Sequence, residues 1–246
     1  MILALALLFA VDQPTFIKTV RSGDLAAVRK ALDEDPSLVN AHTEKGVSAV
    51  QQALFIIKDG ENFVDPKSND MLHEMLARHP KLDLFDTAAL GTRAQLEAML
   101  KTTPVDTRSS FGWTLLHLAA FAGNVPNTEL LIARGADVNA RAKSKFRNTP
   151  LQTAVLTGQY ATAKILIEHG ADVLVRQAHG FTPLHEAAGQ GRQDLIELLV
   201  QNGAELNSRS DSGSTPLAEA IRGKHEELAA WMKAKGAVVE EDKSGD

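Results

Sequence analysis

The sequence predicts an all-α solenoid of about seven helix–turn–helix repeats joined by short finger loops, the first three repeats divergent. Three observations predict it. The segments WTLLHLAAFAGN, NTPLQTAVLTGQ, FTPLHEAAGQGR and STPLAEAIRGKH align without gaps, and their threonines, Thr114, Thr149, Thr182 and Thr215, lie 35, 33 and 33 residues apart. A second marker, RGADVNA, HGADVLV, NGAELNS and KGAVVEE, places Gly135, Gly170, Gly203 and Gly236 at the same spacings. Two independent markers sharing one period make chance a poor explanation. Each repeat is also too small to bury its own apolar face, so neighbours must stack.

Met1 to Val11, MILALALLFAV, carries no charge. Eleven apolar residues fall short of the roughly 20 a spanning helix needs, and no other long apolar run follows, so no stable membrane span is expected. The segment reads as a secretory signal peptide or as an amino-terminal cap over the first apolar face. Export, periplasmic or secreted, is favoured over a cytoplasmic location. Against it, no Lys or Arg precedes the run, and cleavage after Ala10 would put Leu8 at the −3 position.

Residues 12–239 form the repeat domain, divergent over 12–108 and well matched over 109–239. FIKTVRSGDLAAVRKAL supplies two short helices around Gly23. PSLVNAHTEKGVSAVQQAL then keeps the register, with Ser48 in place of the Thr and Gln51 in place of the His. The second repeat departs from the pattern. Lys58 to Asp70 is too long for a simple turn and reads as a longer inter-helix loop, a tolerated insertion before a functional one. From Pro80 to Phe85 the finger is nearly absent. FDTAALGTRAQLEAML supplies two more helices around Gly91.

The matched repeats have a common logic. Thr caps the first helix and Pro sits in its first turn. A glycine turns the chain, and a second helix carries apolar residues at helical spacing, as in Leu195, Ile196, Leu198 and Leu199. Gly203 ends that helix as a C′ residue. The last repeat carries Lys224, Glu226, Glu227, Lys233 and Lys235, as a terminal cap should. Glu240 to Asp246 reads as a short, mobile acidic tail.

On TPLH, the GADVNA-like turn and the 33-residue period, the chain resembles the ankyrin-repeat family. The resemblance implies a non-catalytic protein–protein interaction module, a scaffold or adaptor binding through its fingers and the concave inner-helix face. It also implies that His117 and His185 are structural, bonding the backbone between adjacent repeats.

Composition and motifs exclude other classes. The net charge of −5 argues against nucleic-acid binding. With no cysteine there is no disulfide framework, thiolate metal site or cysteine nucleophile. His225-Glu226 lacks a second ligand at i+4, and neither GxxxxGK[ST] nor GxSxG occurs. No catalytic, metal or cofactor site is expected, and a monomer is.

The sharpest functional clue is a row of arginines. Arg108, Arg141, Arg176 and Arg209 share one register, spaced 33, 35 and 33, with His42 at the same place in the first repeat. In a stack, equal register means alignment on one surface, able to read carboxylates or phosphates on an extended partner, and so to favour an acidic one. The finger after Arg141 is two residues longer and adds Lys143, Lys145 and Arg147. Equally, such residues keep fingers soluble, and some would pair with Asp211. Phe111, Trp113, Phe121, Phe146 and Phe181 are the candidate aromatic anchors, Trp113 and Phe181 also suiting finger packing. Two other functions stay open: an inhibitor or immunity-type regulator of a single enzyme, and an enzyme with a site in the divergent half near Lys58–Asp70.

Overall fold

The computed structural model describes residues 11–55, 57–58, 62–63 and 69–239, the two short segments by backbone alone. The signal-or-cap reading of the first residues and the tail reading of 240–246 fall outside them. So does most of the Lys58–Asp70 loop. Among the described residues fourteen α-helices pair into seven repeats, as the period predicts. The chain divides after Thr87 into two compact blocks.

The first block holds α1 (Gln13–Ser22), α2 (Leu25–Glu34), α3 (Ala49–Leu54), α4 (Asp70–Ala77) and the start of α5 (Leu84–Leu90). Each of the first four helices begins at a side-chain cap. Asp12, Asp24, Ser48 and Asn69 accept from the N–H groups of Thr15, Ala27, Gln51 and Leu72 at 2.8–2.9 Å. Phe16, Val20, Val28, Leu32, Leu54, Leu72 and Met75 fill the core. Between α3 and α4 the long loop folds a small antiparallel ribbon, Ile57–Lys58 against Asn62–Phe63. It is the one strand pair among the described residues.

The lost finger has a physical substitute. His79 takes the left-handed conformation (φ 51) that glycine takes in later repeats. The Lys81 N–H then bonds Asn40 Oδ1 at 2.7 Å, and Asp83 starts α5 at once. Asp83 and Asp86 stand where later repeats have Thr and His. The Asp86 N–H donates to Asp83 Oδ1 (2.8 Å), the Asp83 N–H to Asp86 Oδ2 (3.3 Å), and Ser48 Oγ to Asp86 Oδ1 (2.7 Å). Burial, and then the charge of Asp83, push the Asp86 carboxyl up to about 6.

The second block runs through α6 (Arg93–Met99), α7 (Leu115–Ala122), α8 (Val125–Ala133), α9 (Pro150–Leu156), α10 (Tyr160–Glu168), α11 (Pro183–Gly189), α12 (Gln193–Gln201), α13 (Pro216–Arg222) and α14 (Glu226–Ala234). The first helices of successive repeats approach closely over Ala119, Ala120, Ala154, Ala187, Ala188 and Ala220, all buried.

Three sets of side chains stitch these repeats together. The first is at the start of each inner helix. Thr114 N–H donates to His117 Nδ1 (3.3 Å), so Nε2 carries the ring proton and donates to Asn148 O (2.9 Å). His185 does the same from Thr182 to Ser214 O (2.9 Å). Burial pushes His117 down to about 4 and His185 down as well, so both rings are neutral at pH 7. Their structural role is thus seen directly.

The second set lies at the inter-helix turns. Gly123, Gly158 and Gly191 adopt φ of 69, 70 and 73, and in the last repeat Lys224 (φ 60) takes over. The next residue reaches back to the preceding repeat: Asn124 Nδ2 to Gly91 O (3.0 Å), Arg192 Nη1 to Gly158 O (2.7 Å), His225 Nε2 to Gly189 O (2.9 Å). Asn124 also caps α8 through Oδ1 (3.1 Å), whereas Arg192 and His225 make no side-chain cap for α12 and α14.

The third set follows the outer helices. Asn139 donates to Gly170 O (3.0 Å) and accepts from Asp172 N–H (2.9 Å). Asn207 donates to Gly236 O (3.1 Å) and accepts from Val238 N–H (2.9 Å). Asp106 accepts from Asp137 N–H (3.3 Å).

Candidate partner interface

Each finger is a tight turn closed by its own backbone. Ser109 N–H meets Trp113 O (2.8 Å), Ala142 N–H meets Asn148 O (2.9 Å), Gln177 N–H meets Phe181 O (2.9 Å) and Ser210 N–H meets Ser214 O (2.9 Å). Neighbouring tips are bonded backbone to backbone. Lys143 N–H donates to Gly112 O (3.0 Å), Ala178 N–H to Phe146 O (3.0 Å) and Asp211 N–H to His179 O (2.9 Å). The approach at Gly112 (φ 77) is close: a Cβ there would stand 2.9 Å from the Lys143 Cα. Gly112→Ala is expected to cost more than about 1 kcal/mol, read as a lower urea midpoint.

The arginine row is part of this bracing. Arg108 Nη1 donates to Gly112 O (2.9 Å) and to Arg141 O (3.0 Å). Arg141 Nη1 donates to Arg176 O (3.0 Å). Arg176 Nη2 meets Asp211 Oδ1 at 3.3 Å, the pairing weighed from sequence. Arg209 is exposed in the same register. His42, in the first block, bonds Asn40 O through Nδ1 (2.8 Å).

The longer 141–148 finger differs in kind. Lys143, Lys145 and Arg147 are exposed, and among the described residues no carboxylate lies within ion-pair reach of them. Arg147 holds the left-handed turn position (φ 56) that glycine holds in the other fingers of this block. Lys145 Nζ stands 4.7 Å from the ring of Phe146, which is 45% exposed. Phe111 on the adjoining tip is 43% exposed. No acidic residue occurs in 108–113 or 141–148.

The other aromatics separate. Trp113 is half-buried, its ring 5.9 Å from His117 and 5.5 Å from Phe121. Phe181 packs 5.1 Å from His185. Phe121 is fully buried. It therefore offers a partner no surface, and its reading as a contact residue is corrected: it sits on the core side of α7, under Trp113.

Glu186 and the recurrent Asn124, Arg192 and His225 were not singled out as a set by the sequence reading. Their signal was present. With Gln159, the turn residues recur at 35, 33 and 33, the common period. Glu186 Oε2 is enclosed without a hydrogen-bond partner, and burial pushes the carboxyl up to about 8.

Among the described residues no group of three or more His, Cys, Asp or Glu could hold a metal ion. None of their helices is long and apolar enough to cross a membrane. The model of the ankyrin-repeat family, three copies in tandem, matches residues 84–177 and again 174–242, well over half of the chain. The chain belongs to the ankyrin-repeat family. Ankyrin repeats are generally protein–protein interaction modules. No curated protein matches this one. In ankyrin terms the TPLH histidines, the left-handed glycines and the bonded fingers form the scaffold. The charged and aromatic fingertips carry side chains that this scaffold does not use.

Proposed function

We propose that this ankyrin-repeat protein is a non-catalytic adaptor that binds a protein partner through its fingers and the adjoining inner-helix face. The contact centre is the pair of tips carrying Phe111 and Phe146, and the partner surface is acidic. One observation carries this reading: Lys143, Lys145 and Arg147 are exposed and, among the described residues, have no carboxylate partner, on a finger two residues longer than its neighbours and beside two exposed phenylalanines. Aromatic and cationic side chains on a rigid support lower the ordering cost of binding.

Arg108, Arg141 and Arg176 contribute charge but also brace the fingers, so reversing them would mix lost binding with lost stability. The tip cations separate the two effects. A variant with Lys143→Glu, Lys145→Glu and Arg147→Asn keeps a residue tolerant of positive φ at 147. It is expected to melt like the wild type and to lose the partner that the wild type captures, as identified by mass spectrometry. Wild-type capture should also weaken between about 0.05 and 0.5 M salt. A partner kept by the variant, or indifferent to salt, would remove the acidic-partner reading.

A further inference from the structure

The stitches described above are not equally distributed. Between the fourth and fifth repeats His117 reaches Asn148 O and Asn139 reaches Gly170 O. Between the sixth and seventh, His185 reaches Ser214 O and Asn207 reaches Gly236 O. Between the fifth and sixth both are missing. The histidine position holds Gln152, whose Oε1 caps α9 while its buried Nε2 finds no partner. The asparagine position holds Leu174, which is 47% exposed and has no amide to reach across. A cleft of about 220 Å³, lined in part by Val173, Leu174, Thr182, Ala204 and Glu205, lies beside it. The sixth repeat also carries the enclosed, unpartnered Glu186 Oε2. Apart from the alanine packing of the inner helices, the hydrogen bonds that remain there among the described residues are at the two edges. Arg192 and Gln190 bond Gly158 O and Leu156 O at the turns (2.7 and 2.8 Å). Arg141 and Ala178 bond Arg176 O and Phe146 O at the exposed tips.

We infer that the junction between the fifth and sixth ankyrin repeats is a built-in release point, at which residues 176–239 open together as one block while the fourth and fifth repeats stay closed. In a linear array, stability is a sum of repeat terms and nearest-neighbour junction terms, so the weakest junction sets where the stack parts. Proteins open in such contiguous units rather than residue by residue. The joint lies inside the finger row. Any ligand bridging the 141–148 tip and the 176–181 finger would hold it shut.

The test is native-state hydrogen exchange on the full chain, followed by mass spectrometry at low urea concentrations. A missing side-chain stitch, whether it makes one bond or two, changes an opening equilibrium by about fivefold, so two missing stitches change it about 25-fold. Amides of α11–α14 are expected to exchange through one shared opening, populated about 25-fold more than the opening that exposes α7–α10. Gln152→His with Leu174→Asn should close most of that gap. Leu174→Asn alone, a surface change, should close about a fivefold part of it. Equal protection on both sides of the junction would overturn the inference. So would early exchange confined to α14, which is ordinary end fraying, or a gap that the restoring variants leave unchanged.

Discussion

Phe121→Ala is expected to lower the stability of the repeat array by about 3–5 kcal/mol. The ring is fully buried, and the indole of Trp113 packs on it at 5.5 Å. Removing it strips contacts from both and leaves a cavity between inner helices that cannot collapse without moving the finger above. Phe146→Ala, on an exposed tip, is expected to stay within about 0.5 kcal/mol. Urea denaturation with unchanged m-values would read the difference. A loss at Phe121 no larger than that at Phe146 would mean that the ring is not part of the core. The pair also separates roles: Phe146→Ala should weaken partner capture in a protein that is still folded.

Glu186→Gln is expected to raise stability at alkaline pH by on the order of 2–4 kcal/mol and to do little at pH 4. Burial lifts the Glu186 carboxyl up to about 8, whereas in the unfolded chain it titrates near 4.3. Between those values the native state holds a proton that the unfolded state has lost, so wild-type stability falls as pH rises through this window and levels off above about 8. Gln cannot ionise and removes that slope. Asp86, lifted to about 6, adds a smaller slope of the same sign between about 4 and 6. His117, lowered to about 4, works in the opposite direction. Its neutral ring favours folding above about 6.5, and that advantage is lost as pH falls toward 4. Denaturation of both proteins at pH 4.5 and 8.5 would measure the effect. Coincident curves at pH 8.5 would show that Glu186 ionises at no cost.

The fold was legible because its determinants are local and periodic. A Thr cap, a TPLH histidine and a left-handed glycine each act within one repeat, and repetition multiplies the signal. Even divergent repeats kept the physics while changing the residues: Asp83 and Asp86 make the same reciprocal bonds at the helix start as Thr and His, and His79 takes glycine's conformation. Burial was less legible. Phe121 and Phe111 are both aromatic residues near one finger, and only the packing shows that one is core and the other surface. The arginine row was found by its spacing. Its use was hidden, because the acceptors are backbone carbonyls 33 and 35 residues away. A weak junction is harder still to read, since it consists of bonds that Gln152 and Leu174 fail to make.

The bonds between fingertips run from one main chain to the next, and the arginine braces end on main-chain carbonyls. A carbonyl is the same whatever side chain its residue carries. Positions such as 111, 145 and 146 can therefore be rewritten without disturbing the spacing of the row. On the proposed reading the tip side chains and the main-chain bonds are separate atoms, the bracing arginines aside, which would let the tips act as an exchangeable cassette. New specificities could be selected there by varying three or four codons, with the fold inherited unchanged.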